Sequence, residues 1–334
     1  MTPIDPIVCV QLGVQPIARA LLGCDARAIA FVRIEDERTA RAGYGECAPL
    51  AGLHEESFEE AMTAIEEFLD GSRELEALPP SAAFAVSCAF ATAAGLGANA
   101  IAPTAVAGFI APSLAQDSTL LDEALEAHRG TSAVLKFKIG RADLALERRT
   151  LDHALAALPH ARFRLDGNRS MTRADCESLV RGIDPSRIEY LEDPLRDPSE
   201  LVALHRETGI PIALDETVLD ARDGASALRA ELARAGAVSA WVLRLSKIGS
   251  LDDLHALAGV AARHDADVVL STAYESSYTL RLAAHVAATI PNARRAHGLG
   301  TASLFIDDVC ASAVIQDGCL AGDPLPVPLA EAWT

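Results

Sequence analysis

The chain has no surplus of positive charge: 29 lysines and arginines stand against 47 aspartates and glutamates in 334 residues, a formal net charge of −18. Nucleic acids and anionic membrane surfaces are bound by clustered cations, so this balance excludes both as partners. There is no CxxC pair and no Cys/His group of zinc spacing among the seven cysteines, at 9, 24, 47, 88, 176, 310 and 319. An odd, scattered set reads as reduced, mostly buried thiols of a cytoplasmic protein rather than a disulfide framework. Neither a GxGxxG after a strand nor a GxxxxGK[ST] occurs, which removes the phosphate loops of nucleotide-binding folds. The opening MTPIDPIVCVQ lacks the basic and apolar segments of a secretory signal. One uncharged run, residues 77–116, is long enough to cross a bilayer, but it is dominated by alanine and glycine and broken by Pro79, Pro80, Pro103 and Pro112. It reads as a tightly packed alanine-rich helix, SAAFAVSCAFATAAG, followed by a buried strand and turn.

Half of the residues are hydrophobic, enough for a large core. The length accommodates one α/β domain together with a smaller one. The first hundred residues have an α+β rhythm. AIAFVRIEDE alternates as an antiparallel strand, and Phe58, Met62, Ile65 and Leu69 make the apolar stripe of an acidic-faced helix. From Val134 the pattern becomes strand, helix, strand, helix, through VLKFKI, RFRLD, IEYLE, IPIALD, AWVLRLSK and DVVLS. Short apolar strands separated by amphipathic helices indicate a parallel sheet, and six such units in succession favour a closed α/β barrel.

Each strand ends in a polar group that a purely structural strand does not need. Lys136 and Lys138 share one face of the first, since side chains at i and i+2 point the same way. Asp166, Glu192, Asp215, Lys247 and Ser271 follow, and the intervals from Lys138 onward are 28, 26, 23, 32 and 24 residues. Barrel enzymes carry their chemistry at the C-terminal ends of successive strands. Three carboxylates with no cysteine or histidine make a hard, all-oxygen set, which suits Mg²⁺, accepts Mn²⁺ and disfavours zinc. A lysine serves as a base when its pKa falls from about 10.4 toward 7–8, a destabilisation of its ammonium by roughly 4 kcal/mol. A neighbouring ammonium, a metal charge and burial all push that way, which makes Lys136 the perturbing neighbour of Lys138. The reaction class is then proton abstraction beside a carboxylate, with an enediolate stabilised electrostatically.

The ordered set KFK, DGN, EDP, DE and SK resembles the signature of the enolase superfamily, in its muconate-lactonizing subgroup. GYGECAPLAGLHEESFEEA, PSAAFAVSCAFATA and LSTAYESSYTLRLAAHVAA are further similar to the o-succinylbenzoate synthase family within it. The resemblance implies a modified TIM barrel, (β/α)7β, over residues 106–305, with an α+β capping domain from residues 1–105 completed by a tail from about 306 to 334. It implies metal ligands at Asp166, Glu192 and Asp215, supported by Asn168 and Glu216. Lys138 would take the α-proton of a small carboxylate substrate and return it to a departing hydroxyl, with Lys247 stabilising the enediolate from across the ring. Ser271 would hold the second carboxylate, and a cap loop containing Gly52, Leu53 and His54 would close the site. The oligomeric state stays open, and a homo-oligomer is compatible with the sequence.

Three features depart from that pattern or stay open. Ile248 follows Lys247 where the family commonly has proline, and Gly167 replaces a common alanine. His297, in AHGLGTASLF, reads as a core or turn histidine. Two lysines on opposite faces would also serve a racemase or epimerase of N-acylamino acids or dipeptides. A barrel that binds without turning over is disfavoured, because the full residue set is present.

Overall fold

The structure, a computed structural model, describes residues 4–16, 19–36, 38–110, 118–126, 128–129, 133–219 and 225–333. The N-terminal region is α+β, in line with its sequence pattern. Strands β1 (Ile4–Gly13), β2 (Ala26–Asp36) and β3 (Arg41–Cys47) form an antiparallel sheet in that order, with the short helix α1 (Arg19–Leu22) between the first two. Helix α2 (Phe58–Leu69) begins at a capping box in which Ser57 and Glu60 satisfy each other's backbone N–H groups. Its stripe packs inward, with Ile65 fully buried and Met62 and Leu69 beside it. Helix α3 (Pro80–Ala93) starts on a proline, where a missing N–H has no partner to lose, and is buried along most of its length. The uncharged run is therefore a core helix up to Ala93; its last residues, 111–116, lie outside the described residues. Among the described residues no helix is long and apolar enough to cross a membrane.

The second region alternates. Strands β5 (Gly108–Ile110), β6 (Val134–Lys138), β7 (Arg162–Asp166), β8 (Ile188–Glu192), β9 (Ile212–Leu214), β10 (Val238–Arg244) and β11 (Asp267–Ser271) form one parallel sheet in sequence order. Between and after them run α4 (Ser118–Glu126), α5 (Leu144–Ala157), α6 (Arg173–Val180), α7 (Leu201–Thr208), α8 (Ala225–Arg234), α9 (Leu245–Ile248), α10 (Leu251–Arg263) and α11 (Ser277–Ala287). The sheet curls, and the segment His297–Gly298 bridges both of its edges, to Ser271 at the end of β11 and to Val106 ahead of β5. His297 Nδ1 accepts the Leu270 N–H at 3.0 Å. Burial, then the charge of Arg164, lowers its pKa to about 4. It is a neutral, hydrogen-bonded turn histidine, as its sequence context suggests. The tail returns to the N-terminal region: β12 (Ile315–Gln316) pairs with β13 (Cys319–Leu320), β13 pairs with β4 (Thr104–Ala105), and Ile306 N donates to Gly13 O at 2.7 Å.

One strand ends earlier than its sequence pattern predicts. AWVLRLSK is not extended through Lys247; β10 stops at Arg244, and Leu245–Ile248 form a helical turn. At this turn Leu245 and Ser246 are both buried, and Ser246 Oγ donates to Glu275 Oε1 at 2.6 Å, a contact that draws it out of the extended line. A strand would send these neighbours to opposite faces.

Glu46 of β3 is buried where the N-terminal sheet meets the start of α11. It accepts from Ser276 N at 3.0 Å and from Thr279 Oγ1 at 2.7 Å, and also from Ser276 Oγ. Burial nevertheless pushes its pKa up to about 7. The folded chain therefore holds this proton more tightly than the unfolded chain does. The stabilisation associated with it is complete below the unfolded carboxyl value near 4.5 and is lost as pH rises through about 7. Glu46→Gln should remove roughly 3 kcal/mol of the decline in stability across that window. Urea unfolding at a series of pH values from 4 to 8 checks this; parallel pH profiles for parent and variant would assign the titration elsewhere.

Candidate functional site

Two layers of side chains line the inner face of the curled sheet. Cross-strand register places Lys136, Arg164 and Tyr190 in one layer, and Lys138, Asp166 and Glu192 in the next toward the C-terminal ends. Arg244 and Ser271 are paired at the same end of β10 and β11. Asp215 follows β9 directly, and a small apolar cluster of Tyr190, Ala213, Ala240, Val242 and Val269 fills the floor. Above it lies a solvent-open cavity with about 640 Å³ of free space, its open mouth included. Lys136, Lys138, Arg164, Glu192 and Arg244 line it, with Ser271, Thr272, Tyr274 and Thr301 on one side and Phe109, Tyr190, Val242 and Val269 as apolar wall.

The acids form a row and the cations flank it. Lys136 Nζ sits between Asp166 Oδ2 at 2.6 Å and Glu192 Oε1 at 2.7 Å. Lys138 Nζ donates to Asp166 Oδ2 at 2.6 Å and to Asn168 Oδ1 at 2.6 Å. On the opposite flank an Arg244 Nη2 donates to Asp215 Oδ2 at 2.5 Å. Burial alone would raise Asp166, but the two ammonium groups hold it far below the usual carboxylate range. Burial and then the Asp166 charge push Glu192 up to about 8 in spite of Lys136. Burial would lower Lys136, yet Asp166 and Glu192 outweigh it and raise its pKa instead. Lys136 therefore serves as a counterion to the acids in this structure, in place of the role of repelling neighbour expected for it.

The donor chemistry fits a hard cation. Asp166, Glu192 and Asp215 are all buried at the ends of adjacent strands, and an ammonium occupies the space between two of them. Glu192 is raised first by its burial and then by the neighbouring Asp166 charge, so its ionised form gains from a further cation beside it. Among the described residues, however, no group of three acids, histidines or cysteines is drawn together closely enough to cage an ion; Asp166 is paired with Lys136 and Lys138, and Asp215 with Arg244.

The supporting residues anticipated from the sequence meet. Asn168 Nδ2 donates to Glu216 Oε1 at 3.0 Å. Asn168 is held at φ 41°, a left-handed conformation that asparagine tolerates better than most residues. Ser271 reaches the cavity. Two other expectations are corrected. Lys247 is not among the cavity-lining residues: it lies within the helical turn α9, and Arg244 occupies the strand end instead. Gly52, Leu53 and His54 do not line the cavity either. The His54 ring is engaged from both sides, accepting Leu50 N–H on Nδ1 at 3.0 Å and meeting Ser246 Oγ at 3.2 Å through Nε2. That contact ties the loop to the sheet region, leaving no ring nitrogen for a ligand.

Several site residues escaped the sequence reading. Arg164 is 1% exposed, donates to Glu189 Oε2 at 2.6 Å, and stacks 4.8 Å over the Tyr190 ring. Its Nη2, Thr272 Oγ1 and Thr301 Oγ1 are buried with no hydrogen-bond partner among the described residues. Three such groups beside one cavity mark a place for an acceptor such as a carboxylate. Asp193, raised to about 7 by burial and then by Glu216, accepts from Asp215 N, Thr217 N and Thr217 Oγ1 at 3.0, 2.8 and 2.7 Å, and so fixes the segment bearing Asp215. The interval rule held the signal for Arg244: counting 244 in place of 247 gives steps of 28, 26, 23, 29 and 27, more even than the original series.

Residues 119–326 match the family described as Enolase C-terminal domain-like, and residues 24–93 match the MenC N-terminal domain. The chain is 32% identical to an o-succinylbenzoate synthase of Enterobacter sp. (strain 638), over 82% of this chain and 83% of that protein. It is 36% identical to another, of Pectobacterium atrosepticum, over 77% of each. Among solved structures, the L-Ala-D/L-Glu epimerase of Bacillus subtilis superposes with a TM-score of 0.77 at 17% identity, covering 96% of both chains. Muconate cycloisomerase of Pseudomonas fluorescens does so with 0.74 at 20% identity, covering 98% of this chain and 95% of its own. At such identities these two likenesses concern the fold.

Proposed function

Because the chain belongs to the o-succinylbenzoate synthase family of the enolase superfamily, we propose that its cavity carries out that family's lyase reaction in menaquinone biosynthesis. The reaction is the syn dehydration of 2-succinyl-6-hydroxy-2,4-cyclohexadiene-1-carboxylate. The observation that carries this reading is the acid row at the ends of β7–β9, whose Glu192 lines one cavity with an apolar wall together with Lys136 and Lys138, the amines that pair with the row.

In this reading Asp166, Glu192 and Asp215 hold a divalent cation, Mg²⁺ by the hardness of the donors with Mn²⁺ as a substitute. When bound, that ion supplies Lewis-acid stabilisation of negative charge on the substrate carboxylate. Lys138 Nζ takes the proton next to that carboxylate. The electron pair left behind forms an enediolate, and its collapse expels the hydroxyl as Lys138 returns the proton to it from the same side. Asn168, bridging Lys138 and Glu216, keeps the amine aimed. Arg164, Ser271, Thr272 and Thr301 receive the succinyl carboxylate, and Phe109, Val242 and Val269 accept the ring. The seven strands with the bridging His297–Gly298 segment support a (β/α)7β barrel, and the N-terminal sheet with its returning tail supports a cap. The partner is a small carboxylate in the cytoplasm.

The test is a comparison of kcat/KM for the cyclohexadiene acid and for N-succinylamino acids with Mg²⁺ present. A preference of at least ~100-fold for the cyclohexadiene acid is expected, equivalent to about 2.7 kcal/mol of transition-state discrimination. The opposite preference would replace this substrate while leaving the proton chemistry in place.

A further inference from the structure

We propose that this site has its proton-carrying groups on one face only, with Arg244 making the chain a lyase that does not racemise. The inference rests on the dehydration reading above, in which Lys138 is the base. A 1,1-proton transfer needs one group to remove a proton from carbon and a second to deliver one to the opposite face. Both amines that line the cavity, Lys136 and Lys138, come from the same strand, β6. Across the acid row, at the end of β10, the cation is the guanidinium of Arg244, bonded to Asp215.

An arginine in this place contributes charge and directed N–H groups but not proton exchange, since its delocalised cation stays protonated throughout the working range. The side chains next to it, Ser271 and Tyr274, offer hydroxyls, and burial raises the Tyr274 phenol above its ordinary range. The composition gives the choice weight. The chain holds only three lysines, at 136, 138 and 247, so the remaining 26 of its 29 basic residues are arginines (29 − 3). Amines are thus kept on β6, while the opposite flank has arginine like the rest of the chain. The third lysine, Lys247, lies on α9 outside the cavity.

The consequence is stereochemical. With an N-succinylamino acid in the cavity, Lys138 Nζ takes the α-proton and the C–H electron pair enters the carboxylate as an enediolate. In D₂O the ammonium exchanges its protons with solvent, and a deuteron returns to the same carbon on the same face. The net change is C–H to C–D with configuration retained.

Each enantiomer of N-succinylphenylglycine is therefore incubated with the Mg²⁺-loaded protein in D₂O, with loss of the α-proton followed by NMR and configuration by chiral chromatography. One enantiomer should exchange, the other should not, and fewer than about one inversion per hundred exchanges should appear. Arg244→Lys should then acquire inversion, because an amine now stands on the second face. Inversion by the parent protein at a rate comparable with exchange would overturn the inference, and its disappearance in Lys247→Ala would make Lys247 the second base. Failure of both enantiomers to exchange would overturn it as well. Turnover of the cyclohexadiene acid by the same preparation is measured separately. One-face exchange without dehydration would sink the substrate reading and leave only the one-face placement of the proton-carrying groups standing.

Discussion

Lys138→Ala should lower kcat for dehydration by about 10³–10⁴-fold while the protein stays folded, the upper range for loss of a positioned proton-transfer group. The amine sits within hydrogen-bond distance of Asp166 and Asn168, at 2.6 Å from each, so the variant also leaves a buried carboxylate with one cation fewer. Lys136 still contacts that carboxylate at 2.6 Å, which limits the structural cost and keeps the experiment readable. The fall should appear in kcat far more than in KM, because the α-proton is transferred only in the transition state. Lys138→Arg should not restore activity: it returns the charge without an exchangeable base. Turnover within about tenfold of the parent in Lys138→Ala would remove Lys138 from the proposed chemistry.

The largest effect on stability is expected far from the cavity, at Gly45 of β3. A Cβ built there would lie 1.8 Å from the carbonyl oxygen of Ala85 and 2.7 Å from its carbonyl carbon. Two residues away, a Cβ on Gly43 would lie 2.1 Å from Ala89 O and 2.2 Å from Ala93 N. The strand thus rests directly on the backbone of α3, and the helix permits this because Ala82, Ala85 and Ala89 present almost nothing between the two chains. Backbone atoms do not swing aside as a flexible side chain does, so Gly45→Ala must push the helix off the sheet. Overpacking of this kind costs typically 1–3 kcal/mol and occasionally more. The unfolded chain loses freedom on the same substitution, a gain of only about 0.4–1 kcal/mol that cannot offset it. A net loss of roughly 2 kcal/mol is expected in urea unfolding, a large share of ordinary domain stability. A loss under about 1 kcal/mol would mean that sheet and helix separate more easily than their contact indicates.

The acid row was legible in the sequence because each of its members ends a strand, and strand ends recur at nearly constant spacing when every unit is one strand and one helix. Lys138, Asp166 and Glu192 needed no knowledge of any distant contact: period-two alternation places them on the inner face, and the register of β6, β7 and β8 then aligns them. The capping box of α2 and the apolar stripe of that helix were legible for the same reason, being relations between residues three and four apart.

The second flank was not legible from alternation, and only the evenness of the intervals favoured Arg244 over Lys247. SK and R both stand near the end of β10, and alternation alone does not say where a strand turns. That was decided by Ser246, drawn out of the extended chain by Glu275, 29 residues later, and by His54, 192 residues earlier. Arg164 looked like one arginine among many until Glu189 and Tyr190 held it beneath the cavity with a donor left over. His54 looked like a loop residue available to a ligand until the sheet region engaged its ring.

By itself, then, the sequence determined the alternating architecture, the inward row of three acids and the paired amines of β6, since all of these follow from short periods along the chain. Only the tertiary structure decided that an arginine, and not a lysine, faces those amines across the acids. It also decided which buried donors are left over for a substrate and which loop is tied down. The physical reason is that where a strand stops, and whether a buried polar group is satisfied, depend on partners tens to hundreds of residues away, and no local pattern records them.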